Sequence, residues 1–175
     1  MTVESLDVLV IGEALVDFVP THRGPLREAS GFELHSGGAP ANVAIGVSRL
    51  GGRAGLISVV GDDEFGAFLL GSLTREGVDV AGVHRLAGVA TGLCFITLDR
   101  DGERSFLHQG RDPAVRMVAD HVDRAQAAAA RIVKFSSGPL RTEGRAAAVD
   151  RLIAASRGLV AVDPGGIRSI GGRRR

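Results

Sequence analysis

Apolar residues come along this chain in short runs of two kinds. Residues 6–11 read Leu-Asp-Val-Leu-Val-Ile and end at Gly12, and residues 55–60 read Gly-Leu-Ile-Ser-Val-Val. Runs this short and this continuous suit strands buried on both faces, as in a parallel sheet. Residues 131–136 and 159–162 repeat the type. Between them the spacing turns helical. In residues 40–50, Val43, Val47 and Leu50 recur at helical intervals behind Pro40, and Gly51-Gly52 closes the segment. Asp62 can cap a second helix, with Asp63 and Glu64 in its first turn, Phe65, Phe68, Leu69 and Leu73 on one face, and Gly77 at its end. The alanine-rich residues 120–130, and residues 142–157 capped by Thr142, complete the expected helices.

Strands alternating with helices predict a layered α/β fold. Two segments break the alternation. Residues 14–19 form a second apolar run interrupted by Asp17, and the polar stretch 21–36, with Gly24, Pro25 and Gly31, reads as loop with short irregular strands. Residues 93–98 and 104–108 flank Asp99-Arg100-Asp101-Gly102, a hairpin signal. These segments predict a small antiparallel appendage. No internal repeat and no dividing linker is visible.

Composition narrows the chemistry. The 175 residues are about one domain's worth, and 45% hydrophobic with 23% charged residues excludes a disordered chain. No apolar run reaches membrane-spanning length, and no charged-then-apolar leader is present, so a cytoplasmic location is expected. A net charge of +1 gives no electrostatic case for nucleic acid or anionic membranes. Seven Phe with no Trp or Tyr offer little for base stacking. Cys94, the one cysteine, can make neither an internal disulfide nor a thiolate zinc site, and reads as a buried strand residue. The five histidines lack ligand spacing. Lys134 is the only lysine beside 20 arginines, which reads as coding bias rather than guanidinium chemistry.

The strongest local signal is Ser36-Gly37-Gly38-Ala39-Pro40-Ala41-Asn42-Val43-Ala44. Two glycines before a helix let the backbone approach a ligand, and free N–H groups of the first helical turn favour oxygen-rich or anionic groups. The Asn42 amide can donate and accept, which suits sugar hydroxyls. From the residues alone, a tight turn capping a packed helix is the competing reading.

This segment resembles the first signature of the PfkB/ribokinase family of sugar kinases, with Gly37-Gly38, Pro40, Asn42 and Ala44 in the family's positions. Its wording is most similar to the fructokinase branch. Gly12-Glu13 with Asp17, Gly61-Asp62-Asp63-Glu64-Phe65-Gly66, Gly77-Val78-Asp79 and Asp101-Gly102-Glu103-Arg104-Ser105-Phe106 follow in the family's order, so the resemblance covers roughly residues 5–164. It implies a ribokinase-like fold with a mainly parallel central sheet and a small β lid. It also implies transfer of the ATP γ-phosphoryl group to a sugar hydroxyl, with Mg2+ and ATP. Asp17 would accept hydrogen bonds from sugar hydroxyls, Gly37 and Gly38 would let the sugar approach, and Asn42 would hold another hydroxyl. Phe106 would cover the sugar ring or pack between lid and core. Arg111 would reach in from beyond the lid hairpin or stay a solvated surface arginine. The acidic Gly61 to Gly66 segment is better read as a helix cap than as a metal site. Fructose is the favoured sugar; ribose, 2-keto-3-deoxygluconate and nucleosides stay open. Self-association through the lid or an exposed sheet edge is a further expectation.

The resemblance stops short of catalysis. The family's Gly-Ala-Gly-Asp motif, which supplies the base and the anion hole, is absent, and so is any Walker-type G-x-x-x-x-G-K-[ST]. No residue here is therefore expected to be catalytic. Asp163-Pro164 resembles the start of the family's Asp-Pro-Asn-x-Arg stretch, but Gly165 stands in place of Asn and Arg168 is displaced by one. Residues 1–164 read as the N-terminal portion of a sugar kinase domain lacking its C-terminal part, and 165–175 as a divergent tail. A frameshift near residue 165 and a natural short relative with a basic tail both account for the ending. The alternative function is a non-catalytic sugar-binding or interaction module. A dinucleotide-binding reading fails because Gly12-Glu13-Ala14-Leu15-Val16-Asp17 is not G-x-G-x-x-G.

Overall fold

The structure, a computed structural model, describes residues 5–98, 104–109, 113–136 and 142–164. Five parallel strands form the central sheet in the order β5-β4-β1-β8-β9: β1 (Val8–Ile11), β4 (Ala54–Gly61), β5 (Val83–Leu86), β8 (Ile132–Ser136) and β9 (Leu159–Asp163). All eight residues of β4 are buried, as the unbroken apolar run requires. Side chains alternate across the sheet. Leu9, Ile11, Ile57, Val59, Val133 and Phe135 pack on one face with Met117 and with α4 (Glu143–Ala155), which contributes Ala148, Val149 and Leu152. Val10, Leu56 and Val60 pack on the other with α1 (Ala39–Arg49) and α2 (Glu64–Arg75). Covering helices on both faces are what a parallel sheet needs.

A second sheet runs β3-β2-β6-β7, from β2 (Leu15–Pro20), β3 (Phe32–Gly37), β6 (Leu93–Leu98) and β7 (Arg104–Gln109). The expected hairpin is present as the antiparallel β6–β7 pair; its turn lies outside the described residues. The appendage is mixed rather than purely antiparallel, because β2 and β6 come from separate hairpins and meet in parallel. One face of this sheet is aromatic. Phe18 stacks on Phe95 at 4.7 Å between ring centroids and meets Phe32 at 6.0 Å and Phe65 of α2 at 5.7 Å. That cluster fastens the small sheet to the core.

Several local expectations shift. Asp63, not Asp62, caps α2: its carboxylate accepts from Gly66 N–H at 2.8 Å. It also accepts from Thr91 N–H at 2.8 Å and Thr91 Oγ1 at 2.6 Å, which ties the root of β6 to the helix. Asp62 instead faces outward and pairs with Arg85. The helix expected over 120–130 divides into a 3-10 turn at Ala119–His121 and a short α3 (Arg124–Ala129), because Asp123 caps a new start through Ala125 N–H. Thr142 stands at the N-cap of α4 without a side-chain capping bond, and the helix ends at Ala155 rather than Arg157. Lys134, on β8, is only 8% exposed. Its ammonium donates to Ser136 Oγ at 2.9 Å and lies 3.5 Å from Asp163 Oδ2.

Candidate functional site

The two sheets join where β1 runs through Gly12–Ala14 into β2 and where Gly61, at the end of β4, donates its N–H to Thr91 Oγ1 at 3.0 Å just before β6. Brief turns carry the chain from β1 into β2 and from β3 into α1, so the glycines of the second turn lie against the residues of the first. An ideal Cβ on Gly38 would stand 2.6 Å from the Glu13 carbonyl oxygen, and Gly38 has φ = +100°, a conformation open to glycine. One on Gly37 would stand 2.2 Å from Asp17 Oδ2. The missing side chain of Gly37 is the space that the Asp17 carboxylate occupies. Below this turn, the buried Arg145 of α4 places Nη2 3.5 Å from Glu13 Oε2.

Asp17 belongs to a cross-strand row. It is registered opposite His35 on β3 and Cys94 on β6, and Cys94 is opposite His108 on β7. All four therefore share the face opposite the aromatic cluster. Burial pushes the Asp17 carboxyl above the usual aspartate range, and the positive charge available to His108 and His35 opposes that rise. Burial raises the Cys94 thiol too, and the Asp17 charge adds to it. The site is thus a carboxylate partly removed from water, walled by two imidazoles and a neutral thiol. Such a carboxylate accepts strongly from hydroxyl donors, because it has lost solvent partners.

Of the residues expected from sequence, Asp17, Gly37 and Gly38 come together. Asn42 lies in the first turn of α1, its N–H donating to the Gly38 carbonyl at 2.9 Å. The residue is exposed and lines an adjoining groove of about 280 Å3 with Ser36, Ile45, Phe68, Ser72 and Arg75. Phe106, 57% exposed, is registered opposite Ile96, which puts it on the same sheet face as Asp17 and His108. Arg111 lies outside the described residues. His35 and His108 escaped the sequence reading. The alternation Phe32, Leu34 against Glu33, His35 puts His35 on the Asp17 face once β3 is recognised as a strand. His108 needs the register of β6 and β7. A cavity of about 680 Å3 beside Leu6, Arg53, Ala54, Asp79 and Gln126 opens at the opposite end of the sheet, away from this constellation.

Among the described residues, no group of three histidine, cysteine or carboxylate side chains is arranged to hold a metal ion. No described helix is long and apolar enough to cross a membrane.

Comparison with known proteins gives a consistent picture. The model of the pfkB family carbohydrate kinases matches residues 5–164. The chain is 46% identical over 139 residues to "Probable fructokinase-2" of Arabidopsis thaliana, covering 78% of this chain and 42% of that protein. It is 50% identical over 117 residues to fructokinase-1 of rice, covering 66% and 36%. Among solved structures, an uncharacterized sugar kinase from Pyrococcus horikoshii in complex with ATP superposes with a TM-score of 0.81 at 36% identity, over 90% of this chain and 53% of that one. The fructokinase of Xylella fastidiosa superposes with a TM-score of 0.77 at 30% identity, over 91% and 55%. The chain thus spans about half the length of these solved relatives, and less of the plant ones.

Proposed function

Since the chain belongs to the pfkB family of carbohydrate kinases, we propose that residues 1–164 form the sugar-holding portion of a fructokinase-like enzyme, with 165–175 a divergent tail. The observation that carries this reading is the half-buried Asp17 carboxylate seated in the space left by Gly37. Asp17 accepts hydrogen bonds from sugar hydroxyls. Gly37 makes room for that carboxylate and Gly38 for the Glu13 carbonyl, so that the turn they form lies beside the bound ring; Asn42 holds a further hydroxyl from α1, and Phe106 covers the ring from the lid. Arg111 reaches in from beyond β7. Fructose is the substrate we favour, on the wording of the glycine segment, and the cytoplasm is the setting that matches such a substrate.

In the intact enzyme the accepted hydroxyl would receive the γ-phosphoryl group of ATP. The Xylella fastidiosa fructokinase was also solved with bound ATP, and an Escherichia coli relative, 29% identical with a TM-score of 0.80, with ATP and Mg2+. Binding of that co-substrate by this chain is not part of the reading. The sequence lacks both the family's Gly-Ala-Gly-Asp motif and a Walker motif. We therefore expect this chain alone to bind sugar with little or no turnover. The missing motif also favours a second reading, a non-catalytic sugar-binding module. Sedimentation tests whether Leu34 and Leu107 of the lid, 39% and 46% exposed, support self-association.

Titration calorimetry with fructose, ribose and 2-keto-3-deoxygluconate tests the binding reading. Heat with at least one sugar, lost in Asp17→Asn, is expected; no heat with any of them overturns it. A coupled ADP-release assay separates the rest. Robust turnover that depends on Asp17 would overturn the expectation of inactivity.

A further inference from the structure

The cavity of about 680 Å3 lies at the N-terminal ends of the central strands, remote from Asp17. Leu6 leads into β1, Ala54 starts β4, and Val78, Asp79 and Ala81 come from the segment between α2 and β5. Leu6, Ala54 and Val78 are buried and give the cavity an aliphatic floor. Arg53, Asp79 and Asp123 are exposed at its rim. Ligands of open α/β sheets ordinarily bind at the other ends of the strands, so a site here is separate from the sugar crevice.

A buried polar side chain borders this space. Gln126 is only 7% exposed, and its Nε2 donates to Asp79 Oδ2 at 3.2 Å. Only the NH2 end of a carboxamide can donate to a carboxylate, so this contact fixes which way the amide is turned. Gln126 Oε1 is left with no donor among the described residues. An amide oxygen removed from water and unpaired is costly, and the cavity is where a donor can enter. The two rim carboxylates stand beside the same amide. Asp79 also accepts from Ala81 N–H at 2.9 Å, and Asp123 accepts from Ala125 N–H at 2.7 Å and Gln126 N–H at 3.4 Å. Neither carboxylate makes an ion pair among the described residues. Arg53 donates through Nη2 to Ser5 Oγ at 2.9 Å and makes no ion pair there either; its nearby charge acts on Asp7, which is already paired with Arg131.

The three features call for three parts of one molecule. Two carboxylates and an amide oxygen suit an ammonium, a guanidinium suits a carboxylate, and the floor suits a small aliphatic body. We propose that this cavity binds a free α-amino acid with an aliphatic side chain. Its ammonium donates to Gln126 Oε1 and to the Asp79 and Asp123 carboxylates, its carboxylate accepts from Arg53, and its side chain covers Leu6, Ala54 and Val78. A phosphorylated ligand would meet two carboxylates at the rim, and a bare cation would leave Arg53 and the floor unused. The site is independent of the sugar reading: a chain that binds fructose and no amino acid loses only this inference, and the reverse result loses only the other.

Amide-resolved NMR of the full chain, titrated with L-leucine and L-valine, tests the proposal. Saturable shifts centred on the Asp79, Ala81 and Gln126 signals are expected, with a Kd on the order of 0.1–1 mM for at least one of them. Three analogues of leucine each remove one feature. Isoamylamine lacks the carboxylate, isocaproate the ammonium and glycine the aliphatic body, and each should bind at least about tenfold more weakly. Arg53→Gln should weaken leucine at least about tenfold without weakening isoamylamine, and should leave fructose affinity unchanged. Gln126→Met keeps the length of the buried side chain, removes its amide and should weaken both ligands. Where that variant folds poorly, the analogues on the unmodified chain still decide. No saturable shift with leucine or valine overturns the proposal. So do shifts confined to other parts of the chain, equal binding of any of the three analogues, or leucine affinity that survives Arg53→Gln.

Discussion

Replacing Gly37 by alanine would push a methyl group into the Asp17 carboxylate. The new Cβ would lie 2.2 Å from Oδ2, 2.4 Å from Cγ and 2.7 Å from Oδ1. Ordinary contact needs about 3.5 Å, so the carboxylate must retreat by roughly 1 Å. Gly37 does not have a positive φ, so the backbone itself accepts alanine. Overpacking costs about 1–3 kcal/mol, and loss of glycine's freedom in the unfolded chain offsets about 0.4–1 kcal/mol of it. The net loss is roughly 1–2 kcal/mol, or about 2–8 °C in Tm for a chain of this size. In an Asp17→Ala background the obstacle is gone, and the same substitution should be neutral or slightly stabilising. Thermal unfolding of the four proteins closes the cycle, with a coupling of about 1–3 kcal/mol expected. Fructose titration supplies the functional arm: Gly37→Ala should fold and fail to bind. Equal destabilisation in both backgrounds, or unchanged fructose affinity in Gly37→Ala, would refute the reasoning.

Three further outcomes follow from the same geometry. Burial holds the folded Asp17 carboxyl above its ordinary value, so its contribution is present in acid and lost as pH rises through the folded value. Asp17→Asn should therefore gain stability relative to the parent from acid to neutral pH in urea unfolding, and parallel curves would count against this. Asp63 has the opposite sign. Burial raises it, but hydrogen bonds from the Thr91 hydroxyl and from the Thr91, Gly66 and Phe65 amides outweigh burial and hold it below its ordinary value. Asp63→Ala should cost about 2–4 kcal/mol at neutral pH through the lost cap and Thr91 bonds, with a deficit that shrinks as pH falls through the lowered value. Leu152→Ala, which empties a fully buried position between α4 and the sheet, should cost about 2–5 kcal/mol by denaturant unfolding while leaving sugar affinity unchanged.

What the sequence disclosed depended on how local the cause was. The β4 run and the α1 segment were legible because burial on both faces and the Pro40 to Gly51 punctuation leave few alternatives. Strand β5 was not, because Val-His-Arg-Leu carries no strand pattern of its own and pairs only through β4. The choice between Asp62 and Asp63 as the cap turned on Thr91, 28 residues further on. The same distinction divides the site. Gly37 and Gly38 announce themselves within nine residues, whereas the imidazoles beside Asp17 come from β3 and β7 and need the register of four strands. The Phe18, Phe32, Phe65 and Phe95 cluster was likewise hidden, since each phenylalanine is unremarkable in its own segment.

The seclusion of Lys134 has a practical side. Every other basic side chain is arginine or histidine, so the native protein shows solvent almost no ε-amine. Acylating reagents find no readily exposed lysine while β8 and β9 stay paired. An acyl group on Lys134 would then mark an excursion that lifted its ammonium away from Ser136 and Asp163, and mass spectrometry of a timed labelling reaction would count those excursions one chain at a time.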